Sequence, residues 1–318
     1  MIDIVQEVAA AEARIRPYVR TTPLENSPAL AGTSGARVFL KCENVQHTGS
    51  FKVRGALSKV LALSPDEIAR GVVTASTGNH GAAVAYALRQ VGAMGTVFVP
   101  EGAASTKLGA IERHGGNIRF HGRDSGATEV YAREYAGEAG ATYISPYNDA
   151  QVIGGQGTIG IELLRQLDRI DAAFVAVGGG GLIAGIAAHL KAVLPGTRII
   201  GCSPENSQVM IQSVKAGRIL DLPSLPTLSD GTAGGVEAGS ITFPLVRDLV
   251  DEFSTVTEDE IASAMRAFME AHHMMIEGAA AVAIAALEKQ KAAWSGANVV
   301  VVLCGANISL ATLKMILP

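Results

Sequence analysis

The chain has 318 residues, 48% of them apolar and 18% charged, which excludes a disordered or fibrous protein and leaves enough apolar material for a large core. Its net charge of −4 is spread without a run of Lys or Arg, so neither nucleic acid nor an anionic membrane is an expected partner. Three scattered cysteines, Cys42, Cys202 and Cys304, suit a reducing cytoplasm better than a disulfide framework or a zinc cluster.

In chain order, residues 1–20 read as an amphipathic helix carrying Asp3, Glu7 and Glu12, unlike a signal peptide. Apolar, β-branched runs predict strands at 38–41, 72–75, 96–99, 118–121, 174–177, 198–202 and 299–303. Helical patterns fill the gaps at 55–63, 81–91, 105–114, 127–139, 158–167, 182–193, 258–272 and 278–291. The alternation predicts an α/β architecture with mostly parallel sheets. The apolar stretch 172–190 contains four consecutive glycines, so it reads as a buried strand, a glycine loop and a helix instead of a membrane span. At this length two lobes around a cleft are expected. Residues 67–148 hold their own β-α units and are expected to form a small mobile lobe against a large one of residues 1–66 and 149–318.

Three segments carry chemistry. Gly178, Gly179, Gly180, Gly181 and Leu182 follow a strand and open a helix, so backbone N–H groups and the helix dipole can meet a phosphate there. Close packing explains glycines equally well. Neither a Walker loop nor a dinucleotide fingerprint is present. Phe51-Lys52-Val53 sets a lysine between apolar residues at a loop-to-helix start, where its pKa would fall, as an imine-forming lysine requires; most lysines are plain surface charges. Ser76-Thr77-Gly78-Asn79-His80 combines hydroxyls, an amide and a helix N-terminus, a set suited to a carboxylate and a phenolic oxygen.

In this order the three segments resemble the fold-type II pyridoxal 5′-phosphate (PLP) enzymes, the tryptophan-synthase-β-like superfamily, in its serine/threonine dehydratase and serine racemase branch. The resemblance runs from Thr22-Pro23-Leu24 through Lys41-Cys42-Glu43-Asn44 to Cys304-Gly305-Ala306-Asn307. It implies a two-lobed fold and a homodimer. By resemblance, Lys52 binds the cofactor and moves the Cα proton, Phe51 packs beside the ring and Asn79 bonds the phenolic oxygen. Gly178 to Gly181 with Leu182 hold the phosphate, Glu277 lies near the cofactor, and Ser76, Thr77, Asn79 and His80 grip the carboxylate of a small amino acid. Substrate contacts are also implied for residues 229–235, where a surface loop is the plain alternative.

The chain departs from that branch at several places. Cys304 stands where dehydratases usually have a serine facing the pyridine nitrogen, though a buried cysteine packs as a small hydrophobe in any case. Thr77 replaces the serine hydroxyl that racemases use as a second catalytic group. Ser203 and Val209 replace a metal-binding Glu and Asp, so no metal is expected, with Glu205 read as a solvated loop residue. Thr128 replaces an arginine that recognises dicarboxylates, while Arg123 lies close by in sequence. Since the chain stops at Pro318, no regulatory domain is expected. The expected activity is dehydration of a β-hydroxy amino acid. Alternatives are a specialised dehydratase for phenylserine or a hydroxyectoine-derived compound, a racemase, a β-replacement synthase, or a non-catalytic PLP carrier.

Overall fold

The structure is a computed structural model that describes residues 3–103 and 105–317. Its strands are β1 (Leu24–Asn26), β2 (Arg37–Lys41), β3 (Val72–Ala75), β4 (Thr96–Val99), β5 (Asn117–Phe120), β6 (Thr142–Tyr143), β7 (Ala172–Ala176), β8 (Arg198–Pro204), β9 (Glu252–Val256) and β10 (Asn298–Val302). They form a six-stranded sheet in the order β1-β2-β10-β7-β8-β9 and a four-stranded sheet in the order β5-β4-β3-β6. Every pairing is parallel except β1 against β2. The central strands β7 and β10 are buried throughout, which is why both read as unbroken apolar runs. Among the described residues no helix is long and apolar enough to cross a membrane, and residues 172–190 form β7, the glycine loop and the start of a helix.

The predicted strands fall within two residues of observed ones, whereas β1, β6 and β9 were not predicted. β1 and β6 are short, and neither has a buried residue. Helices Pro65–Arg70, Val209–Ala216, Thr242–Leu249 and Leu310–Ile316 were not predicted, and among the predicted helices the largest discrepancy is Ala150–Gln166, predicted only from 158. Gly154, Gly155 and Gly157 mask its start by lowering helix propensity, yet each has a packing reason. A Cβ on Gly155 would lie 2.5 Å from the Arg54 carbonyl oxygen, and one on Gly157 would lie 2.8 Å from that of Gly185. Helices Lys52–Val60 and Gly181–Val193 therefore press on this helix backbone to backbone.

Where these elements meet, charge is buried in pairs. Arg54 is fully buried and binds both carboxylate oxygens of Glu43 at 2.8 Å, while its other nitrogen reaches Glu162 at 2.8 Å. Lys41, equally buried, donates to Glu162 at 2.6 Å, to the Thr22 carbonyl at 2.9 Å and to Gln166 at 2.9 Å. Burial opposes ionisation of Glu162, but the Arg54 and Lys41 cations outweigh it and hold the carboxyl at about 2. This knot ties β2, helix Lys52–Val60 and helix Ala150–Gln166 into one block.

Removing one member leaves an uncompensated buried charge, so Arg54→Met is expected to cost about 3–5 kcal/mol of unfolding free energy in urea titrations. Because the Glu162 pKa is depressed from its ordinary 4.5, its contribution is complete above about pH 4.5 and is lost as pH falls towards about 2. The deficit of the variant should shrink over that window; an unchanged urea midpoint at pH 7 would show the knot to be dispensable.

Candidate active site

Lys52 is the first residue of helix Lys52–Val60, and its side chain reaches the segment that follows β6 of the four-stranded sheet. Its Nζ donates to the Pro146 carbonyl at 2.9 Å and lies 5.2 Å from the centre of the Phe51 ring. Burial lowers its pKa to about 8, against the opposing pull of Cys304, Glu277 and Glu129. At neutral pH a far larger share of this amine is uncharged than for a surface lysine.

A second group converges from three chain segments. Asn79 begins helix Asn79–Gln90, and its Nδ2 donates to both Glu277 oxygens at 2.9 and 3.0 Å. Glu277 is 4% exposed at the start of helix Gly278–Gln290, so burial raises its carboxyl to about 7 despite the Asn79 bond. The Cys304 thiol, two residues past β10, sits 4.0 Å from Glu277 Oε1, and burial pushes it well above its ordinary range. Asn307 adds its backbone N–H to Glu277 at 3.1 Å and its amide to Asn79. Sequence reasoning included Asn307 in a motif but gave it no role.

The glycine loop forms the floor. Gly178 and Gly179 are half-buried, and a Cβ would lie 2.7 Å from the Thr232 backbone oxygen in the first case and 2.4 Å from the Tyr147 ring in the second. Gly180 has φ +86° and is hemmed in by Val246, Met210 and Thr242. Side chains are therefore excluded at all three positions. Among the described residues nothing accepts a hydrogen bond from the N–H groups of Gly178 to Leu182, and helix Gly181–Val193 starts beside them. Free amides and a helix dipole fit a phosphate monoester.

Of the carboxylate-loop residues, Ser76 and Thr77 are half-buried, and the Ser76 hydroxyl accepts the Gly78 N–H at 3.1 Å. The His80 side chain points elsewhere. Its Nε2 bonds the Ile144 carbonyl at 3.0 Å, which makes Nε2 the protonated nitrogen, and burial with the nearby Lys52 charge lowers its pKa to about 3. A neutral imidazole so tied leaves only the His80 backbone for an incoming carboxylate. Thr128 donates its hydroxyl to the His121 and Asp124 carbonyls, and Arg123 is exposed. The Ser203 hydroxyl is spent on the Val177 carbonyl, Val209 is buried and Glu205 is exposed.

Two features were absent from the sequence reading. Arg133 pairs with Glu129 and Glu237 at 2.8 Å each and stacks over Tyr143, so helix Ser125–Ala139 of the four-stranded half grips the loop that follows residue 229. Within that loop the Thr232 backbone backs Gly178, and Gly231 packs near Glu277, so it borders the site. Tyr147, the second feature, joins that loop to the glycine loop, since its ring backs Gly179 and its hydroxyl accepts the Glu237 N–H at 2.9 Å. An aromatic after Ser145-Pro146 is the only sequence signal that pointed there.

The profile of the pyridoxal-phosphate dependent enzymes matches residues 15–305. The chain belongs to that family. Pyridoxal phosphate is therefore its cofactor, and the amide cradle fits its phosphate. The chain is 38% identical to the serine racemase of Arabidopsis thaliana over 311 residues, covering 96% of this chain and 93% of that protein. It is also 38% identical to the L-threonine ammonia-lyase of Geobacter sulfurreducens over 309 residues, covering 97% and 77%. The processed form of threonine deaminase isoform 2 from Solanum lycopersicum superposes with a TM-score of 0.94 at 33% identity, covering 98% of this chain and 92% of that one.

Gly179→Ala forces a methyl into the Tyr147 ring. Distorting the cradle by about 1–3 kcal/mol corresponds to roughly 5- to 150-fold weaker binding when the protein stripped of cofactor is titrated with pyridoxal phosphate. Unchanged affinity would show that the phosphate sits elsewhere.

Proposed function

We propose that the chain is an ammonia-lyase that dehydrates a small β-hydroxy amino acid to a 2-oxo acid and ammonia. The observation that carries this reading is the buried thiol of Cys304, held protonated by its surroundings, at the place where the resemblance puts the partner of the cofactor's ring nitrogen. When bound, pyridoxal phosphate supplies the electron sink that loosens the Cα–H bond, and an uncharged thiol in place of a carboxylate keeps that sink modest, which favours loss of a β substituent.

The chain's own residues divide the remaining work. Lys52 anchors the cofactor and, with its lowered pKa, takes the Cα proton as general base. Phe51 would pack along the cofactor's ring, an N–H of Asn79 would meet its phenolic oxygen, and the amides from Gly178 to Leu182 would hold its phosphate. The hydroxyls of Ser76 and Thr77, with the N–H groups opening helix Asn79–Gln90, hold the substrate carboxylate. The reaction balances as L-serine giving pyruvate and ammonia, the water expelled being regained on hydrolysis. Residues 67–148 act as the small lobe and close on substrate against residues 1–66 and 149–318, a division supported by the separate four-stranded sheet that β3 to β6 form.

The Geobacter ammonia-lyase and the tomato threonine deaminase support this reading. The Arabidopsis serine racemase supports a second one, in which the Thr77 hydroxyl protonates the opposite face of the substrate; β-branching restricts the rotamers of that hydroxyl and disfavours it. Incubating the cofactor-loaded enzyme with L-serine or L-threonine and quantifying both products separates the two. A 2-oxo acid in excess over the D-amino acid is expected; D-serine as the main product would overturn the lyase reading.

A further inference from the structure

Asn307 lies in the loop after β10, is exposed, and would ordinarily pass for a turn residue bonded to its own backbone. Its hydrogen bonds run instead to distant segments. The side-chain Nδ2 donates to the Thr48 carbonyl at 2.8 Å and to Asn79 Oδ1 at 2.6 Å, and the backbone N–H donates to Glu277 at 3.1 Å. The turn that leads to Lys52 is shaped around this side chain. Thr48 adopts φ +64°, a left-handed conformation rare for a β-branched residue, and Gly49 follows at φ +73°. A Cβ on Gly49 would lie 2.8 Å from Asn307 Oδ1.

The geometry points to Asn307 as the positioning residue that fixes which way round the Asn79 amide sits, so that an N–H and not the carbonyl faces the cofactor's phenolic oxygen. This inference rests on the proposed assignment of Asn79 to that oxygen. A carbonyl can only accept, so the Asn307 atom on the Thr48 oxygen is nitrogen. That nitrogen has a second hydrogen for Asn79, whose oxygen must then turn towards Asn307. Glu277 does not determine the orientation alone, because a carboxyl that holds a proton can donate as well as accept. With Oδ1 committed to Asn307, the Asn79 nitrogen gives one hydrogen, shared between the two Glu277 oxygens, and keeps the other for the cofactor.

The test uses the cofactor-loaded enzyme with Asn307→Asp, which keeps the shape and removes both donors, Asn307→Ala, which removes both shape and donors, and Asn79→Ala as reference. The readouts are the pH midpoint of the visible cofactor band, kcat and KM. In both Asn307 variants the phenolic oxygen loses its donor and becomes more basic. The midpoint is expected to rise by about one unit, with kcat falling on the order of tenfold and KM little changed. If Asn307→Asp behaves like the unaltered enzyme, whether or not Asn307→Ala is impaired, Asn307 only fills space and the inference is overturned. A midpoint left unmoved by Asn79→Ala would instead overturn the assignment of Asn79 to the phenolic oxygen, on which the inference depends.

Discussion

Charges that cannot reach water must be paired, and the pairing of Arg54 and Lys41 with Glu43 and Glu162 determines where Lys52 can be. Two residues along an α-helix correspond to a rotation of about 200°. The helix that drives the Arg54 guanidinium into the core therefore turns the Lys52 amine the opposite way, towards the Pro146 carbonyl. Two elements close in the chain and one about a hundred residues away share the knot, and each carries or supports part of the site. β2 lies beside β10, whose end leads to Cys304, and helix Ala150–Gln166 packs on the helix that follows the glycine loop.

Once fixed, the lysine sits among groups whose ionisation the surroundings have shifted. Burial lowers the ammonium of Lys52 and raises the acids Glu277 and Cys304, so each shift moves its group towards the uncharged form. Such a site holds few fixed charges before the cofactor arrives with its phosphate. On the proposed assignment of the glycine loop, the anion would meet backbone amides and a helix dipole, which carry no proton to lose. Arg133, the guanidinium close to this region, is already shared by Glu129 and Glu237 and so braces the two halves of the molecule.

Much of this was legible in the sequence, for reasons that differ from residue to residue. Strands such as β7 and β10 announce themselves because burial on both faces demands unbroken apolar runs. The glycine loop, Lys52 and Asn79 could be proposed from the sequence because their chemistry is local: the residue type, the neighbours and the expected helix start lie within a few positions. Long-range pairing left no such trace. Nothing near Arg54 indicates that its partners are Glu43 and Glu162, and nothing near Arg133 indicates Glu237. His80 read as a ligand group because it follows Asn79, whereas its ring is turned to Ile144, a contact set by the packing of the four-stranded half. The early turns of helix Ala150–Gln166 were hidden by glycines that local propensity penalises and helix-on-helix packing requires.

The claim on which the account turns is that Lys52 both anchors the cofactor and moves the Cα proton. Its most direct test is the Lys52→Ala protein reconstituted with pyridoxal phosphate, followed by its visible absorption spectrum and by exchange of the L-serine Cα hydrogen with deuterated water. The account predicts loss of the lysine-linked band together with loss of both exchange and 2-oxo acid formation. Full exchange or turnover by the Lys52→Ala protein would contradict it.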